Sequence, residues 1–423
     1  MNNIRPDALL FDPADKPQES SVVQHDSTIA ARIGIHWQGL DCNFHDWSYL
    51  SSIHLSRDLL PPQIESRLPG LVTGDEISHV FKAGELRKRQ SSLIYNNIPA
   101  NRFQPPISDQ TALNPSIGRF YPSDYFRDIR DIYQGNCLSC RISDIQDGKL
   151  SIDCNHPLAS KTVEMMVRIE SIKKTGAEHG GRCKDIVALC CDHGPGMQDS
   201  LPGQDTDFWT GNPFNRPDAG NDSEFFSVPS LQPYWDRTAL TQLSLLYRQL
   251  IPENAQILDL MAGVHSPLQE ADIKPSAVIC AGLNGEELEH NPLCTQAEIV
   301  DVNTICALPF QTGQFDVVLI HAAIEYVINP PLLMTEVQRV LKPAGRIIIS
   351  FSNRSVSEKA IQLWSGADEF ERPAIVLAYL RNCAGFSGFN SYSMRGLLRA
   401  NDDSLAHKRP YSDPVYAVWA DKI

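Results

Sequence analysis

The segments ILDLMAG (257–263), FDVVLIHAAIEYV (315–327) and VLKPAGRIIISFSN (340–353) decide the fold of this 423-residue chain. Each contains a short apolar run of the kind that forms a strand buried on both faces. Between the last two, Leu333, Val337 and Val340 recur at helical spacing. Strands that alternate with helices predict a doubly wound parallel sheet, and ligands of such sheets bind beyond the carboxyl ends of the strands.

Sequence on either side of these segments extends the same alternation. Leu240, Leu243, Tyr247 and Leu250 predict an amphipathic helix that Asp236 caps and that ends before Pro252. A second helix is expected to start at Pro331 and to end at the KPAG turn. The predicted strands are Gln256–Leu260, Ala277–Cys280, Glu298–Asp301, Asp316–Ile320 and Arg346–Phe351.

Composition limits the partners of the chain. The formal net charge is −14 and the sequence pI is about 5.3, which argues against binding to a phosphate backbone. No apolar run approaches the ~20 residues that span a bilayer, so no membrane partner is expected. The start of the chain has neither a basic nor an apolar signal region, which favours a cytoplasmic location. A monomer and a homodimer both stay open.

The eleven cysteines follow no framework spacing, so reduced thiols are expected throughout. Cys137 and Cys140 form a C-x-x-C pair, but no second pair follows at zinc spacing. The run IVALCC (186–191), which precedes Asp192 and His193, is interpreted as a partly buried edge strand rather than a metal site. No metal is therefore expected.

Four zones are predicted along the chain. Residues 1–27 read as a flexible tail, and residues 28–175 carry short β-like runs separated by turns. Residues 176–234 are rich in Gly, Pro, Asp and Asn and predict a connector that covers an active site. Residues 235–423 contain the alternating pattern described above.

This last zone resembles a known family. The segments LPFQTGQFDVVLIHAAIEYV (308–327) and EVQRVLKPAGRIIISFSNR (336–354) are similar to class I S-adenosylmethionine-dependent methyltransferases, of the type that includes the ubiquinone and menaquinone methylases. The resemblance covers residues 225 to 423. It implies a Rossmann-like sheet of seven mostly parallel strands that closes with an antiparallel pair, expected at GFSGFNSYSM (385–394) and PVYAVWADK (414–422).

The resemblance also implies S-adenosylmethionine as cofactor and a set of contacts at the strand ends. Two departures stand out: the first turn, DLMAGVHS, has a single glycine, and Asn284 stands where the family has an acidic ribose ligand. Ordinary turn chemistry at Asp259 and Gly263, a turn start at Asn284 and a loop cap at Asp301 are the alternatives. The expected cofactor contacts are Asp259, Met261, Ala262, Gly263, Gly282, Asn284, Asp301, Val302, Asn303, His321 and Ala322.

Methyl transfer is an in-line displacement, which requires alignment and exclusion of water rather than a metal. A general base is needed only for a protonated acceptor; His321 is the first candidate and His265 the second. A structural role for His321 is the alternative. The acceptor is expected to be a small molecule, with a thiol or sulfide slightly favoured over an oxygen nucleophile. Phe226, Tyr234 and Tyr326 are expected to contact it, with Trp364, Tyr379 and Phe386 in the roof.

The N-terminal part resembles a second family. DLLPPQIESRLPGLVTGDEISHVF (58–81) and GKLSIDCNHPLASKTVEMMVRIESI (148–172) are similar to FKBP-type prolyl isomerases of the subgroup with an insert in the flap. This implies an α+β FKBP-like fold. The NHPLAS stretch (155–160) is interpreted as a structural turn with His156 hydrogen-bonded in place. An isomerase or chaperone with a non-catalytic methyltransferase-like domain is therefore the alternative function, and a protein that senses the cofactor is a third.

Overall fold

The computed structural model describes residues 22–106, 113–135, 138–173 and 181–423. They fall into two compact units. The N-terminal unit ends at Pro213 and also includes Gln362–Ile375, whereas the C-terminal unit consists of Phe214–Ile361 and Val376–Ile423. No helix within the described ranges is both long enough and apolar enough to cross a membrane.

The described residues form fifteen strands, which are labelled in chain order. They are β1 Thr28–Gln38, β2 Cys42–His54, β3 Glu76–Phe81, β4 Ile94–Pro99, β5 Phe120–Pro122, β6 Ser139–Gln146, β7 Lys149–Asp153, β8 Val163–Lys173, β9 Gln256–Leu260, β10 Ala277–Gly282, β11 Gln296–Ile299, β12 Phe315–His321, β13 Leu341–Phe351, β14 Phe386–Arg395 and β15 Val415–Lys422. The helices are α1 Pro62–Glu65, α2 Ile186–Cys191, α3 Asp222–Phe225, α4 Arg237–Leu250, α5 Gly285–His290, α6 Pro330–Val340, α7 Gln362–Ser365 and α8 Glu371–Asn382.

The N-terminal unit contains two separate sheets. In the first, β1 pairs with β2 and β8, and β8 also pairs with β3, all antiparallel. The chain between β3 and β8 forms the second sheet, in the order β4-β7-β6-β5. This inserted sheet has an apolar core of its own, which includes Phe103, Phe126, Ile142 and Ile152. The insert is therefore a second packing centre between two strands that pair with each other.

Two expectations about the N-terminal unit were wrong. Cys140 and Cys154 form a disulfide, so the cysteines are not all reduced thiols, and Cys137 lies outside the described residues. The run IVALCC forms helix α2 instead of an edge strand, because the Asp185 side chain accepts the Ala188 amide and caps the first turn.

The NHPLAS turn is confirmed as structural. The imidazole of His156 accepts the Leu158 amide at Nδ1 (3.1 Å), and its Nε2 lies 3.0 Å from the Cys191 carbonyl oxygen. Asn155 accepts the Gln90 amide and donates to the Gln90 carbonyl, at 2.7 and 3.0 Å. Burial is the largest influence on His156 and lowers the pKa of its imidazole, so a neutral ring holds the turn.

The sheet of the C-terminal unit runs β11-β10-β9-β12-β13-β15-β14. Neighbours from β11 to β13 are parallel, whereas β15 runs antiparallel to both β13 and β14. The predicted Rossmann-like sheet is confirmed. Strand β11 ends at Ile299, two residues earlier than predicted, so Asp301 lies in the turn beyond the strand.

Helix α4 forms where it was predicted. The Asp236 carboxylate accepts the amides of Thr238 and Ala239, which satisfies two free donors of the first turn. The inner face of the helix is fully buried, and Tyr247 on that face reaches Ser350 of β13. The helix thus fixes one end of a hydrogen-bond chain that leads to the site described next.

Candidate functional site

A cavity of about 340 Å³ lies at the carboxyl ends of β9, β10, β11 and β12. Its size is typical of a small-molecule site. Part of the predicted cover, between Asp222 and Tyr234, contributes to its wall. The predicted residues that line it are Phe226, Tyr234, Met261, Ala262, Gly263, His265, Asn284, Asp301, Val302, Asn303, His321, Ala322 and Tyr326. Asp259, Gly282, Trp364, Tyr379 and Phe386 are not among the lining residues.

The turn after β9 brings backbone close to the cavity. Met261, rather than Gly263, takes the left-handed conformation, with φ of 61°. A Cβ at Gly263 would lie 3.1 Å from Oε2 of Glu287, a tight contact that the glutamate side chain would have to relieve by a small shift. Asp259 is buried within β9, and burial raises the pKa of its carboxyl to about 6, which the Ser266 side chain partly offsets.

The end of β10 carries no acidic residue against the cavity. A Cβ at Gly282 would lie only 2.3 Å from the Ala262 carbonyl oxygen, so no side chain fits there. Asn284 caps helix α5, where its Oδ1 accepts the amides of Glu286 and Glu287 at 3.1 and 3.3 Å. Its Nδ2 donates to the carbonyls of Phe226 and Ser227. The amide of Asn284 is thus occupied on both sides by the protein itself.

Glu287 is a lining residue that the sequence analysis missed. Its Oε1 accepts the Ser230 amide at 2.7 Å, and its Oε2 lies beside the Gly263 turn. A signal was present in the sequence, because Glu287 is three residues after the helix cap Asn284, where a glutamate commonly belongs to a capping box. Here the carboxylate points to the cavity wall, and it brings a negative charge to the side where Gly282 carries none.

The turn after β11 places Asp301 at the cavity, where its Oδ1 accepts the Asn303 amide at 3.0 Å. Asn303 is held from three directions: its Nδ2 donates to Asp222 and to the Tyr326 carbonyl, and its Oδ1 accepts the Ile328 amide. Asn303 therefore ties three segments of the wall together.

A buried cation anchors the segment around α3. The ammonium of Lys359 is fully buried and lies 3.1 Å from Asp222, 3.3 Å from Asp218 and 2.9 Å from the Gly220 carbonyl. Arg216 binds the other oxygen of Asp222 at 2.8 Å. Burial raises the pKa of Asp222, but the hydrogen bonds from Arg216, Asn303 and Lys359 outweigh it and leave that pKa below its usual value. Charge pairs therefore hold the stretch 218–222 in place, and Asp222 and Lys359 are buried whereas Asp218 is partly exposed.

The end of β12 carries His321 in a hydrogen-bond chain. Its Nδ1 lies 3.0 Å from Oγ of Ser350, which lies 2.9 Å from the hydroxyl of Tyr247. Trp235 packs edge-on against the imidazole, with ring centroids 4.5 Å apart. Burial lowers the pKa of His321 to about 3, with a smaller contribution from His265, so the ring is neutral near pH 7. The next residue, Ala322, takes a left-handed φ of 52°.

Two further groups complete the site. Phe226, Tyr234 and Tyr326 form an aromatic wall, in which Phe226 and Tyr326 have ring centroids 6.0 Å apart and the Tyr326 hydroxyl accepts the Val356 amide. His265 lies 3.2 Å through its Nε2 from Oε1 of Glu270. No group of histidine, cysteine and acidic side chains among the residues with a described position could hold a metal ion.

Comparison with known proteins places this geometry. Residues 256–349 match the family described as "Methyltransferase domain". They form a methyltransferase domain. The domain spans β9 to most of β13 and supplies the turns that meet at the cavity, and S-adenosylmethionine is the cofactor that the match implies.

Solved structures of S-adenosylmethionine-dependent methyltransferases are similar to this chain at low identity. One from Mesorhizobium loti is 17% identical, with 41% of this chain and 95% of that chain covered and a TM-score of 0.28. One from Thermotoga maritima, described as a possible histamine N-methyltransferase, is 18% identical, covers 44% and 88%, and has a TM-score of 0.32. A Haloferax volcanii complex of a methyltransferase activator with a methyltransferase is 16% identical, covers 41% and 84%, and has a TM-score of 0.31. No curated protein matches the chain.

The methyltransferase domain fits an adenosyl cofactor. The cavity has room for a small molecule, the Gly263 turn lines it without a side chain, and two carboxylates, Asp301 and Glu287, border it. Asn284 was expected to replace the family's acidic residue as a ribose ligand. In the structure its side-chain amide is already hydrogen-bonded within the protein.

Proposed function

We propose that the chain transfers a methyl group from S-adenosylmethionine to a small-molecule acceptor in the cavity at the ends of β9, β10, β11 and β12. The observation that carries this proposal is the convergence of four strand-end turns on one cavity within residues 256–349. Ligands of parallel α/β sheets bind at this edge, which supports the placement.

The protein's part in holding the cofactor falls to three positions. Asp301 offers a carboxylate to the adenine amino group, and Glu287 offers one to the ribose hydroxyls in place of a ligand at Gly282. The Gly263 turn lets the backbone come close. When bound, the cofactor supplies a methyl group on a positively charged sulfur.

The acceptor side of the cavity is the aromatic wall of Phe226, Tyr234 and Tyr326 together with His321. Aromatic rings exclude water and hold a flat or apolar acceptor in line with the methyl group. Among the two candidate bases, His265 is oriented by the Glu270 carboxylate, whereas His321 is kept neutral by burial, which lowers its pKa to about 3. A thiol or sulfide acceptor remains slightly favoured, since it needs little help from a base.

Calorimetric titration with S-adenosylmethionine and S-adenosylhomocysteine tests the proposal directly. We expect both to bind, and we expect Asp301→Ala to weaken binding by about 1–3 kcal/mol, the cost of a lost buried polar contact. Glu298→Ala on β11, at a half-buried residue that does not line the cavity, is the matched control and should leave the affinity unchanged. If neither nucleoside binds the intact chain, the enzymatic proposal fails; if Asp301→Ala binds normally, the adenine contact is elsewhere.

We also propose that the N-terminal unit is FKBP-like. A specific observation favours it: the insert between β3 and β8 forms its own sheet and core, as expected for the subgroup with an insert in the flap. The alternative function of prolyl isomerase or chaperone rests on this unit. A proline-isomerisation assay with the full chain should detect catalysis if the unit is an enzyme, and rates equal to the uncatalysed reaction would leave it a structural or docking module.

A further inference from the structure

The hydrogen-bond chain behind His321 has a direction. Tyr247 is fully buried, and the hydroxyl of Ser350 is its hydrogen-bond partner among the described residues. A buried hydroxyl proton needs an acceptor. Tyr247 therefore donates to Oγ of Ser350, because the reverse direction would leave the tyrosine proton with no acceptor.

The next step follows from the chemistry of serine. The Ser350 hydroxyl has a single proton, and its side chain is fully buried between Tyr247 and His321. Since Oγ accepts from Tyr247, its proton is directed to Nδ1 of His321 at 3.0 Å. Nδ1 is then an acceptor, and the proton of the neutral imidazole lies on Nε2.

The opposite edge of the ring is the one that lines the cavity, because Nδ1 is turned to Ser350 and Trp235 packs against the ring. We propose that His321 is a hydrogen-bond donor to the methyl acceptor through Nε2–H, with Tyr247 and Ser350 as positioning residues, and that the acceptor reaches it as an anion such as a thiolate. This rests on the proposed function and deepens it. Burial of the ring, which lowers the pKa of His321, agrees with a neutral donor and opposes a role as general base.

The chemistry of the transfer then balances without a proton acceptor on His321. The anionic sulfur forms a bond to the methyl carbon as the bond from that carbon to the cofactor sulfur breaks, and the electron pair stays on the cofactor sulfur. The negative charge of the acceptor and the positive charge of the donor disappear together. The Nε2–H group holds the anion in line before the bond forms.

Nitrogen-15 NMR of the full chain labelled on histidine tests the tautomer without any turnover. The His321→Gln variant identifies the signal by its loss. We expect the neutral tautomer protonated at Nε2 in the wild type, and a shift toward the tautomer protonated at Nδ1 in Ser350→Ala, because no hydroxyl then donates to Nδ1. Ser244→Ala is the matched control, since that buried hydroxyl donates to the Thr241 carbonyl in the same unit. A wild-type ring protonated at Nδ1, or a signal that Ser350→Ala leaves in place, would overturn the proposal.

Turnover separates this proposal from the function on which it depends. With thiophenol as acceptor, Ser350→Ala should lower kcat at least tenfold while the affinity for S-adenosylhomocysteine stays within twofold. Phenol, which is protonated near neutrality, should be methylated at least a hundredfold more slowly than thiophenol. Equal rates for the two, or turnover of neither, count against the anionic acceptor. Failure of S-adenosylhomocysteine to bind a chain with the expected tautomer counts against the proposed function alone.

Discussion

The ends of β10 and β12 both present a polar side chain that the sequence marks as a ligand, yet the two side chains differ in what they leave free. Asn284 after β10 uses Oδ1 to cap α5 and Nδ2 to hold the carbonyls of Phe226 and Ser227. Among the residues that the structure describes, His321 at the end of β12 is hydrogen-bonded through Nδ1 alone, and its other edge faces the cavity. The difference teaches that the number of internal partners, rather than residue type, decides which strand end is available to a ligand.

The largest expected effect concerns the free end. His321→Ala removes a donor aimed at the acceptor, and loss of one such donor typically costs about 10²–10³ in kcat. The affinity for S-adenosylhomocysteine should change little, because the donor faces the acceptor. His290→Ala, on the exposed face of α5, is the control and should keep the wild-type rate. A His321→Ala variant with wild-type kcat would show that His321, like Asn284, has only a structural role.

Asp259 lies on β9, between β10 and β12, and its burial should lower the free energy of unfolding as the pH rises. Because its pKa is raised from 3.8 to about 6 in the folded state, the folded chain holds a proton that the unfolded chain releases, so stability falls as pH rises through that window. The difference of about 2.2 corresponds to at most ~3 kcal/mol. Urea denaturation should show Asp259→Asn gaining on the wild type by up to this amount between pH 3.8 and 6.

Exposed Glu289→Gln is the control for this prediction and should track the wild type at every pH. If Asp259→Asn also tracks the wild type, the carboxyl ionises as readily in the folded chain as in the unfolded one. That result would mean that water reaches the Asp259 carboxylate on β9, and it would weaken the contrast between the ends of β10 and β12.

Glu287→Gln sharpens the comparison at the β10 side. If Glu287 takes the ribose hydroxyls that Asn284 leaves unmet, loss of its charge should weaken S-adenosylmethionine binding about tenfold, close to 1.4 kcal/mol. The hydrogen bond to Ser230 can survive in the glutamine variant through its amide oxygen, so the fold should persist. Calorimetry should find no loss in Glu286→Gln, the exposed neighbour one residue earlier.

The smallest effect should come from Asn284 itself. Asn284→Ala removes a helix cap and should lower the free energy of unfolding by about 1 kcal/mol. Asn284→Asp keeps the cap but turns a carboxylate oxygen to the carbonyls of Phe226 and Ser227, so it should restore only part of that loss. Cofactor affinity should follow stability in these variants rather than fall on its own. A large loss of affinity in a stably folded Asn284→Asp would show that the amide contacts the ribose after all.

Much of the fold could be predicted from local chemistry. Asp236 caps α4, and the continuous apolar runs form the buried strands β12 and β13, because capping and burial depend on residues close in sequence. IVALCC was misassigned because six apolar residues fit either a helix or a strand, and the Asp185 cap decides between them. The Cys140–Cys154 disulfide joins β6 to the residue just after β7. The spacing of cysteines along the sequence does not reveal which two of them pair.

The site was predictable in position and less so in detail. Strand ends located the turns that hold Met261, Asp301 and His321, because parallel strands place their carboxyl ends on one edge. The occupied amide of Asn284 and the cavity-facing carboxylate of Glu287 depend on Phe226, Ser227 and Ser230, which lie more than fifty residues earlier. Contacts at such separation leave no local pattern in a single sequence.

The buried ammonium of Lys359 limits which part of the cavity wall can move. Lifting the stretch 218–222 would separate this cation from the buried carboxylate of Asp222, and breaking a buried pair in that way typically costs about 3–5 kcal/mol. This side of the cavity wall is consequently rigid. The stretch 230–234 is held less firmly, since Leu231 and Tyr234 are exposed and one hydrogen bond joins the Ser230 amide to Glu287. The Glu287 carboxylate, which is proposed to contact the ribose, would then also hold the movable part of the wall in place.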